Sequence, residues 1–355
     1  MSRRHALIRR WFGYLFILVS LFVFAYPVGR LSYYYSADPA AGWFSATFVW
    51  IVAVLASRYV FSGPKMKPRY FVVHWMGVSF ILACWTLIAE LVNLFTDVSN
   101  IALANTVLSL TAVTIVIAVV FSHHLAVKKF SVSSAKIDRR YRIAQISDVH
   151  IGSRQKGFMA RIVKKLNSAR PDIVVITGDL IDSSAVDIEA LESIREISVT
   201  TLFCIGNHER YADLPKVLDM AERLGMTTLR QQTYHSGQLA FTGIDDADDP
   251  DHVALNMVAL PQDSAKFNIL LYHRPVGWEA AIDHGIDLML SGHTHNGQIF
   301  PFNLLVKQQF KRIAGLYIEK DARLYVSSGT GTWGPLMRLG SMNEITLFDL
   351  LPHRE

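Results

Sequence analysis

Five short clusters of Asp, Asn and His hold most of the residues able to do chemistry. They are Asp148-Val149-His150, Gly178-Asp179-Leu180-Ile181-Asp182, Gly206-Asn207-His208-Glu209, His273 after Leu271-Tyr272, and Gly292-His293-Thr294-His295. Carboxylates, imidazoles and one amide suit Mn, Fe or Zn better than Ca or a thiolate-bound metal. Singly, each fragment is ordinary. A Gly-Asp pair usually marks a turn, and an isolated buried histidine is more often hydrogen-bonded than a ligand. Their order and placement argue otherwise, because nearly every cluster comes directly after a short apolar run.

Those runs are the elements that must position the clusters: 143–146, 173–176, 201–205, 241–244, 267–272, 288–290 and 324–326. Each has the length and β-rich composition of a buried strand. Amphipathic stretches lie between several of them, at 157–169, 186–196 and 215–224, the last with Val217, Leu218, Ala221 and Leu224 at helical spacing. Alternating strands and helices predict an α/β layered domain. Ligands of open α/β sheets gather outside the carboxyl ends of strands, so residues far apart in sequence would meet on one rim. Asp-x-His and His-x-His at strand ends offer alternating side chains to one pocket, and glycines allow close backbone approach.

The first third of the chain has a different composition. Hydrophobic residues make up 51% of the 355 positions and charged residues 18%, with the apolar residues crowded at the N-terminal end. A bilayer-crossing helix needs about 20 apolar residues, and stretches at 11–29, 43–62, 70–95 and 101–121 qualify. This predicts a four-helix transmembrane region over 1–127, a basic linker over 128–140 and a soluble domain over 141–355. Arg3, Arg4, Arg9 and Arg10 precede the first span; Arg58, Lys65, Lys67 and Arg69 lie around the second loop; Lys128, Lys129, Lys136, Arg139 and Arg140 follow the fourth span. The opposite side holds Arg30, Asp38 and Asp97, so the positive-inside rule places both termini and the soluble domain in the cytoplasm, on a multi-pass inner-membrane protein. Arg9-Arg10-Trp11-Phe12 also has the look of a twin-arginine or secretory signal, whose cleavage would place the domain outside. His74 and Glu90 sit toward the ends of the third span, where interfacial placement costs little.

A net charge of +5 and a pI near 9.1 raise nucleic acid as a partner. The basic residues, however, border hydrophobic segments and no aromatic-interleaved motif accompanies them, so no nucleic-acid partner is expected. Cys84 and Cys204 are too few and too separated for a disulfide framework or a cysteine zinc site.

The full series of clusters resembles the signature of calcineurin-like metallophosphoesterases, over residues 141 to about 350. The resemblance implies a four-layer α/β/β/α domain, two divalent metal ions at the edge of a β-sandwich, and hydrolysis of a phosphate ester. Matched position by position, Asp148, His150, Asp179 and His295 would hold one metal, and Asp179, Asn207, His273 and His293 the other. His208 matches the histidine that contacts the phosphate and protonates the leaving group, and Glu209 would orient its surroundings. No ligand position is missing, which disfavours a non-catalytic sensor or scaffold. Gly297-Gln298-Ile299, Gly315-Leu316-Tyr317, Tyr325–Gly329 and Asn343-Glu344-Ile345 resemble a bacterial, often membrane-attached branch. Some of its relatives hydrolyse UDP-2,3-diacylglucosamine. The apolar stretch 299–306, followed by Lys307, Lys311 and Arg312, is either a core-packed loop or a membrane-facing flap. A lipid-linked phosphodiester or pyrophosphate is the expected substrate, with a soluble phosphoester as the rival. Oligomeric state has no signature in the sequence.

Overall fold

The computed structural model describes residues 17–61, 66–154 and 156–353. The chain forms two compact units, Met1–Ala118 and Val119–Glu355.

The first unit is helical. Among the described residues, four helices are long and apolar enough to cross a bilayer: α1 (Ile17–Ser36), α2 (Pro39–Phe61), α3 (Met66–Asn93) and α4 (Asn100–His123). Trp43, Phe44, Phe71 and Phe95 are among many large apolar side chains they leave exposed, the reverse of a water-facing surface. Gly29 and Gly42 let α1 and α2 approach closely: a Cβ at Gly29 would lie 2.9 Å from that of Ala46.

The first helix differs from expectation in its end. It runs on to Ser36 rather than stopping near 29, so Arg30 is helical and not part of a loop. Glu90 of α3 resolves the charge problem. It pairs with the Arg30 guanidinium and accepts hydrogen bonds from Tyr26 (3.0 Å) and Tyr34 (2.9 Å). Pairing is how ionisable groups are accommodated among apolar helices. Arg3, Arg4, Arg9, Arg10, Lys65 and the Arg9-Arg10-Trp11-Phe12 motif lie outside the described residues.

The second unit begins with the last turn of α4 and is built on two six-stranded sheets. In chain order its elements are β1 (Leu125–Ser134), β2 (Tyr141–Ile146), α5 (Lys156–Ala169), β3 (Ile173–Thr177), β4 (Thr201–Cys204), α6 (Asn207–Tyr211), α7 (Leu214–Arg223), β5 (Thr227–Thr228), β6 (Gln232–Ser236) and β7 (Leu239–Gly243). Then follow α8 (His252–Ala259), β8 (Phe267–Leu271), α9 (Trp278–Asp283), β9 (Leu288–Ser291), α10 (Asn303–Gln309), β10 (Gly315–Glu319), β11 (Ala322–Val326) and β12 (Asn343–Pro352). One sheet runs β1-β12-β2-β3-β4-β5 and the other β10-β11-β9-β8-β7-β6.

Side chains alternate across each strand. Tyr141 and Ile143 of β2 enter the layer between the sheets with Phe241, Ile269, Leu290 and Phe348. Ala144 and Ile146 point the other way, against Met159, Ile162 and Leu166 of α5 and Met220 of α7. On the second sheet, Met257 of α8 and Trp278 of α9 cover Leu270 and Met289. The architecture is therefore α/β/β/α. Strands buried on both faces lose the polar alternation of a half-exposed sheet, which is why their sequences read as continuous apolar runs.

Two expectations need correction. The stretch 128–140 is not mainly a linker, since β1 pairs in parallel with β12 from Leu125↔Asn343 to Ser134↔Pro352. Its alternating exposure leaves Lys129 in solvent, and basic residues at a sheet edge deter edge-to-edge pairing. The region 186–196 forms two short 3₁₀ turns, Ile188–Ala190 and Glu192–Glu196, rather than one helix.

Candidate metal centre

All seven expected ligands come together beyond the ends of β2, β3, β4, β8 and β9. Two groups share one carboxylate. In the first, His150 Nε2 lies 3.0 Å from His295 Nε2, and His295 Nε2 lies 3.4 Å from Asp148 Oδ1. In the second, His273 Nε2 is 3.2 Å from each of Asn207 Oδ1, His293 Nδ1 and Asp179 Oδ2. The same Asp179 Oδ2 is 3.9 Å from His150 Nε2, so it stands between the groups.

The backbone at these positions is unusual. Asp148, His150, Asp179, His293 and His295 all have φ between 50° and 74°, the left-handed region that costs an L-residue free energy. Strain of this kind persists only where surrounding structure enforces it, and it clusters at functional sites. Two glycines make the close packing possible. A Cβ at Gly206 would collide with the Asp179 carboxylate, and one at Gly292 with Ser147 Oγ and the Asp148 carboxylate.

A second layer of hydrogen bonds aims the ligands. His273 Nδ1 donates to Thr177 O (2.8 Å), which turns Nε2 toward Asp179. His150 Nδ1 does the same toward Asp182 Oδ1 (2.6 Å). Such outer partners fix tautomer and ring orientation. Asp148 accepts from Ser147 Oγ (2.6 Å) and from the His293 amide (3.0 Å). Arg338, fully buried, donates to the carbonyls of His295 (3.1 Å) and Gly331 (2.6 Å) and so ties down the His-x-His loop.

His208 is the more accessible histidine. Its Nδ1 lies 3.5 Å from Asp182 Oδ1, its Nε2 4.0 Å from Asp179 Oδ2, and the Trp333 ring stands edge-on with centroids 6.2 Å apart. Glu209 points away from this opening. Fully buried, it accepts the amides of Gly206 (2.7 Å), Asp179 (2.9 Å), Leu180 (2.8 Å) and Ile181 (3.3 Å). It therefore positions the loops that carry Asp179 and Asn207, and is not placed to touch a substrate.

Electrostatics agree with a cation-binding pocket. Burial disfavours a charged His273, yet Asp179 and Asp148 carry it up to about 10. His150 is likewise raised against burial to about 8, chiefly by Asp182. Burial raises Asp148, with Asp179 adding to it and His273 opposing. His293 is pushed down to about 3 by burial and by His273. A field that draws protons this strongly onto some imidazoles, while lone pairs of others converge beside them, also draws divalent cations. The donor set fits two such ions.

Sequence reasoning missed several contributors. Asp182 was quoted within its cluster but given no role, although it touches both His150 and His208. Ser147 and Thr177 adjoin ligand clusters and were detectable as neighbours. Arg338, Trp333 and Phe310, whose ring packs on His293 at 5.2 Å, have no local motif.

A carboxylate standing between two groups of metal-ligand side chains, at the strand ends of a two-sheet sandwich, is an arrangement able to hold two cations side by side. Residues 141–297 match the family model described as calcineurin-like phosphoesterase. Among curated proteins, an uncharacterized metallophosphoesterase of Campylobacter jejuni is 34% identical over 237 residues, covering 63% of this chain and 63% of its own. One from Helicobacter pylori strain J99 is 36% identical, covering 64% and 65% respectively. A transmembrane protein with metallophosphoesterase domain from Bos taurus is 33% identical, covering 58% and 52%. This chain thus spans less than two thirds of the length of these relatives. The solved phosphopantetheinyl hydrolase of Mycobacterium tuberculosis aligns at 13% identity with a TM-score of 0.36, over 56% of this chain and 92% of that one. Over residues 141–297, the second unit is thus similar to the calcineurin-like phosphoesterase family.

Proposed function

We propose that this protein is a membrane-anchored, two-metal phosphoester hydrolase that cleaves a phosphodiester or pyrophosphate bond in a lipid-linked substrate such as UDP-2,3-diacylglucosamine. The carrying observation is the convergence of seven donors into two groups that share Asp179. Asp148, His150, Asp179 and His295 would hold one ion, and Asp179, Asn207, His273 and His293 the other. Two divalent cations held there supply charge neutralisation at the phosphoryl oxygens and a lowered pKa for water.

The chain's own residues do the rest. Water attacks phosphorus in line with the leaving oxygen, whose bond to phosphorus breaks as His208 Nε2 gives it a proton; the proton the water loses passes to solvent, from which His208 is reprotonated. Burial lowers His208, while Asp179 and Asp182 pull it back. An anionic phosphoryl group at Nε2 adds to their pull and favours the protonated acid. Asp182 on the Nδ1 side holds the ring with Nε2 toward the substrate. Glu209 acts by position alone.

The lipid-linked substrate is supported by the four apolar helices and by the apolar segment beside His295. The purified full chain, with Mn²⁺ added, is expected to hydrolyse UDP-2,3-diacylglucosamine in preference to a soluble nucleotide diester. His208→Ala should lower turnover of alkoxide-leaving substrates by about 10²–10⁴-fold while keeping its metal, and affect an activated aryl ester far less. Cleavage of the soluble diester alone would leave the metal site standing and remove the lipid reading. Undiminished His208→Ala turnover on the alkyl ester would remove the acid assignment.

The loop charges support an inner-membrane protein with the catalytic unit in the cytoplasm. A C-terminal tag should then resist membrane-impermeant labelling in intact cells. Labelling from outside would reverse the topology.

A further inference from the structure

The segment following His295 buries Ile299 and Phe310 but leaves most of its other apolar side chains outside the core. Phe300 and Phe302 precede α10, Leu304 and Leu305 lie on it, and the facing loop bears Trp333 and Met342; each is 41–56% exposed. Among described residues of the second unit, twelve large apolar side chains are exposed, and these six are half of them. Scattered apolar residues need no explanation, but a contiguous set does.

Hydrogen bonds join the two segments into one patch. The Phe300 amide donates to Leu339 O (2.9 Å), Gln298 Nε2 donates to Trp333 O (2.9 Å), and the Trp333 amide donates to Gln298 Oε1 (3.0 Å). The patch borders the metal centre on both sides: Trp333 stands against His208, and Phe310, just past α10, against His293.

The same loop is anchored to the last turn of α4. Ser122 Oγ donates to Leu336 O (3.0 Å), and the Ser122 carbonyl accepts from Asn343 Nδ2 and from the Arg154 guanidinium. Ser122 closes a 24-residue helix apolar enough to cross a bilayer. Within the second unit, the loop carrying Trp333 and Met342 is thus held to the segment that follows Ala118 in the chain. Lys307 on α10 is exposed, and so is Lys311 just beyond it, 4.0 Å from Glu279, so the apolar side chains have basic neighbours. Apolar side chains flanked by lysines are the composition of an interfacial membrane contact.

We propose that this rim is a membrane-docking surface. Its partner is a bilayer carrying anionic headgroups, and Phe300, Phe302, Leu304, Leu305, Trp333 and Met342 enter the headgroup–acyl boundary. A phosphoester on a lipid headgroup then reaches the metal centre from the bilayer side, its acyl chains never crossing water. The inference rests on the membrane-anchored reading and deepens it.

The test uses the full chain in a Cys84→Ala, Cys204→Ala background, with Leu305→Cys carrying an environment-sensitive fluorophore. It is reconstituted in vesicles of phosphatidylethanolamine and phosphatidylglycerol containing acyl-chain spin-labelled lipid. The control label sits at Leu255→Cys, at least as exposed (64% against 56% for Leu305) but on α8, away from the rim segments. Quenching at 305 should exceed that at 255 by at least about twofold and weaken in vesicles of phosphatidylcholine alone. Equal quenching at the two positions overturns the proposal. A blue shift at 305 that grows with protein density, without quenching, assigns the rim to a second copy and also overturns it. Leu304→Cys repeats the measurement should Leu305→Cys not fold. Because quenching needs no hydrolysis, a chain that docks but cleaves no lipid-linked ester loses the substrate reading and keeps the surface.

Discussion

Replacing Asp179 with Asn should cut turnover by about a thousandfold and leave fewer than one metal ion per chain. Its Oδ2 is the oxygen that approaches both groups, at 3.2 Å from His273 Nε2 and 3.9 Å from His150 Nε2, while Oδ1 accepts the His208 amide at 2.9 Å. An amide of the same size keeps the packing and one acceptor but loses the charge shared between two cations. Metal stabilisation of the transition state is worth several kcal/mol, and each 1.36 kcal/mol is about tenfold in rate. The metal-free variant loses the buried Asp179–His273 pair, which holds His273 up to about 10 and Asp179 well below the usual carboxylate range. It should therefore unfold below the metal-free parent, even though Asp148 and Glu209 are relieved of the Asp179 charge. Elemental analysis beside a thermal melt separates the two effects. Full metal content with parental turnover would rule out Asp179 as the shared ligand.

Glu209→Ala is the complementary case, with the largest effect on stability. Its carboxylate is the acceptor for four buried amides, those of Gly206, Asp179, Leu180 and Ile181. Burial and the Asp179 charge push Glu209 up to about 7, with the Gly206 and Asp179 amides opposing. Cations on Asp179 would favour its ionised form. Alanine would strand those donors, each at about 1–3 kcal/mol if left unsatisfied. Even with partial relaxation the total is on the order of 4 kcal/mol, a fall of roughly 10 °C in the unfolding transition of this unit. Glu209→Gln keeps an acceptor oxygen and should fall between. Parental stability in Glu209→Ala, with turnover lost on alkyl but not aryl esters, would make Glu209 a proton donor instead of a positioning residue.

The central strands were legible because burial on both faces leaves an unmistakable composition. β3 reads Ile-Val-Val-Ile-Thr and β8 Phe-Asn-Ile-Leu-Leu, every residue buried. Edge strands were not. β1 alternates buried and exposed positions and carries Lys128 and Lys129, so its sequence resembles a basic tether. The ligands were legible for a related reason: each follows a buried run, where a polar residue has little other purpose. What supports them was hidden, because it acts across long separations. Arg338 reaches the carbonyl of His295, Asp182 reaches His150, and Glu90 reaches Arg30; none of these contacts has a spacing rule. Nor does spacing disclose that five ligands sit on left-handed backbone, since non-glycine residues adopt it only under tertiary constraint.

β12 lies between β1 and β2, parallel to one and antiparallel to the other. It also brings Asn343, which accepts from Arg338 Nε at 2.9 Å and donates to Ser122. During synthesis, the apolar helices and β1 through β11 leave the ribosome before the strand that joins the first two. Until Asn343–Pro352 emerges, β1 has no neighbour in the sheet and β2 keeps an open edge beside the nascent site. Non-local pairing of this kind is slow to form and prone to aggregation while it waits. The pairing that closes the first sheet therefore waits on this last strand of the unit, and before it pairs the exposed edges of β1 and β2 are open to aggregation and proteolysis.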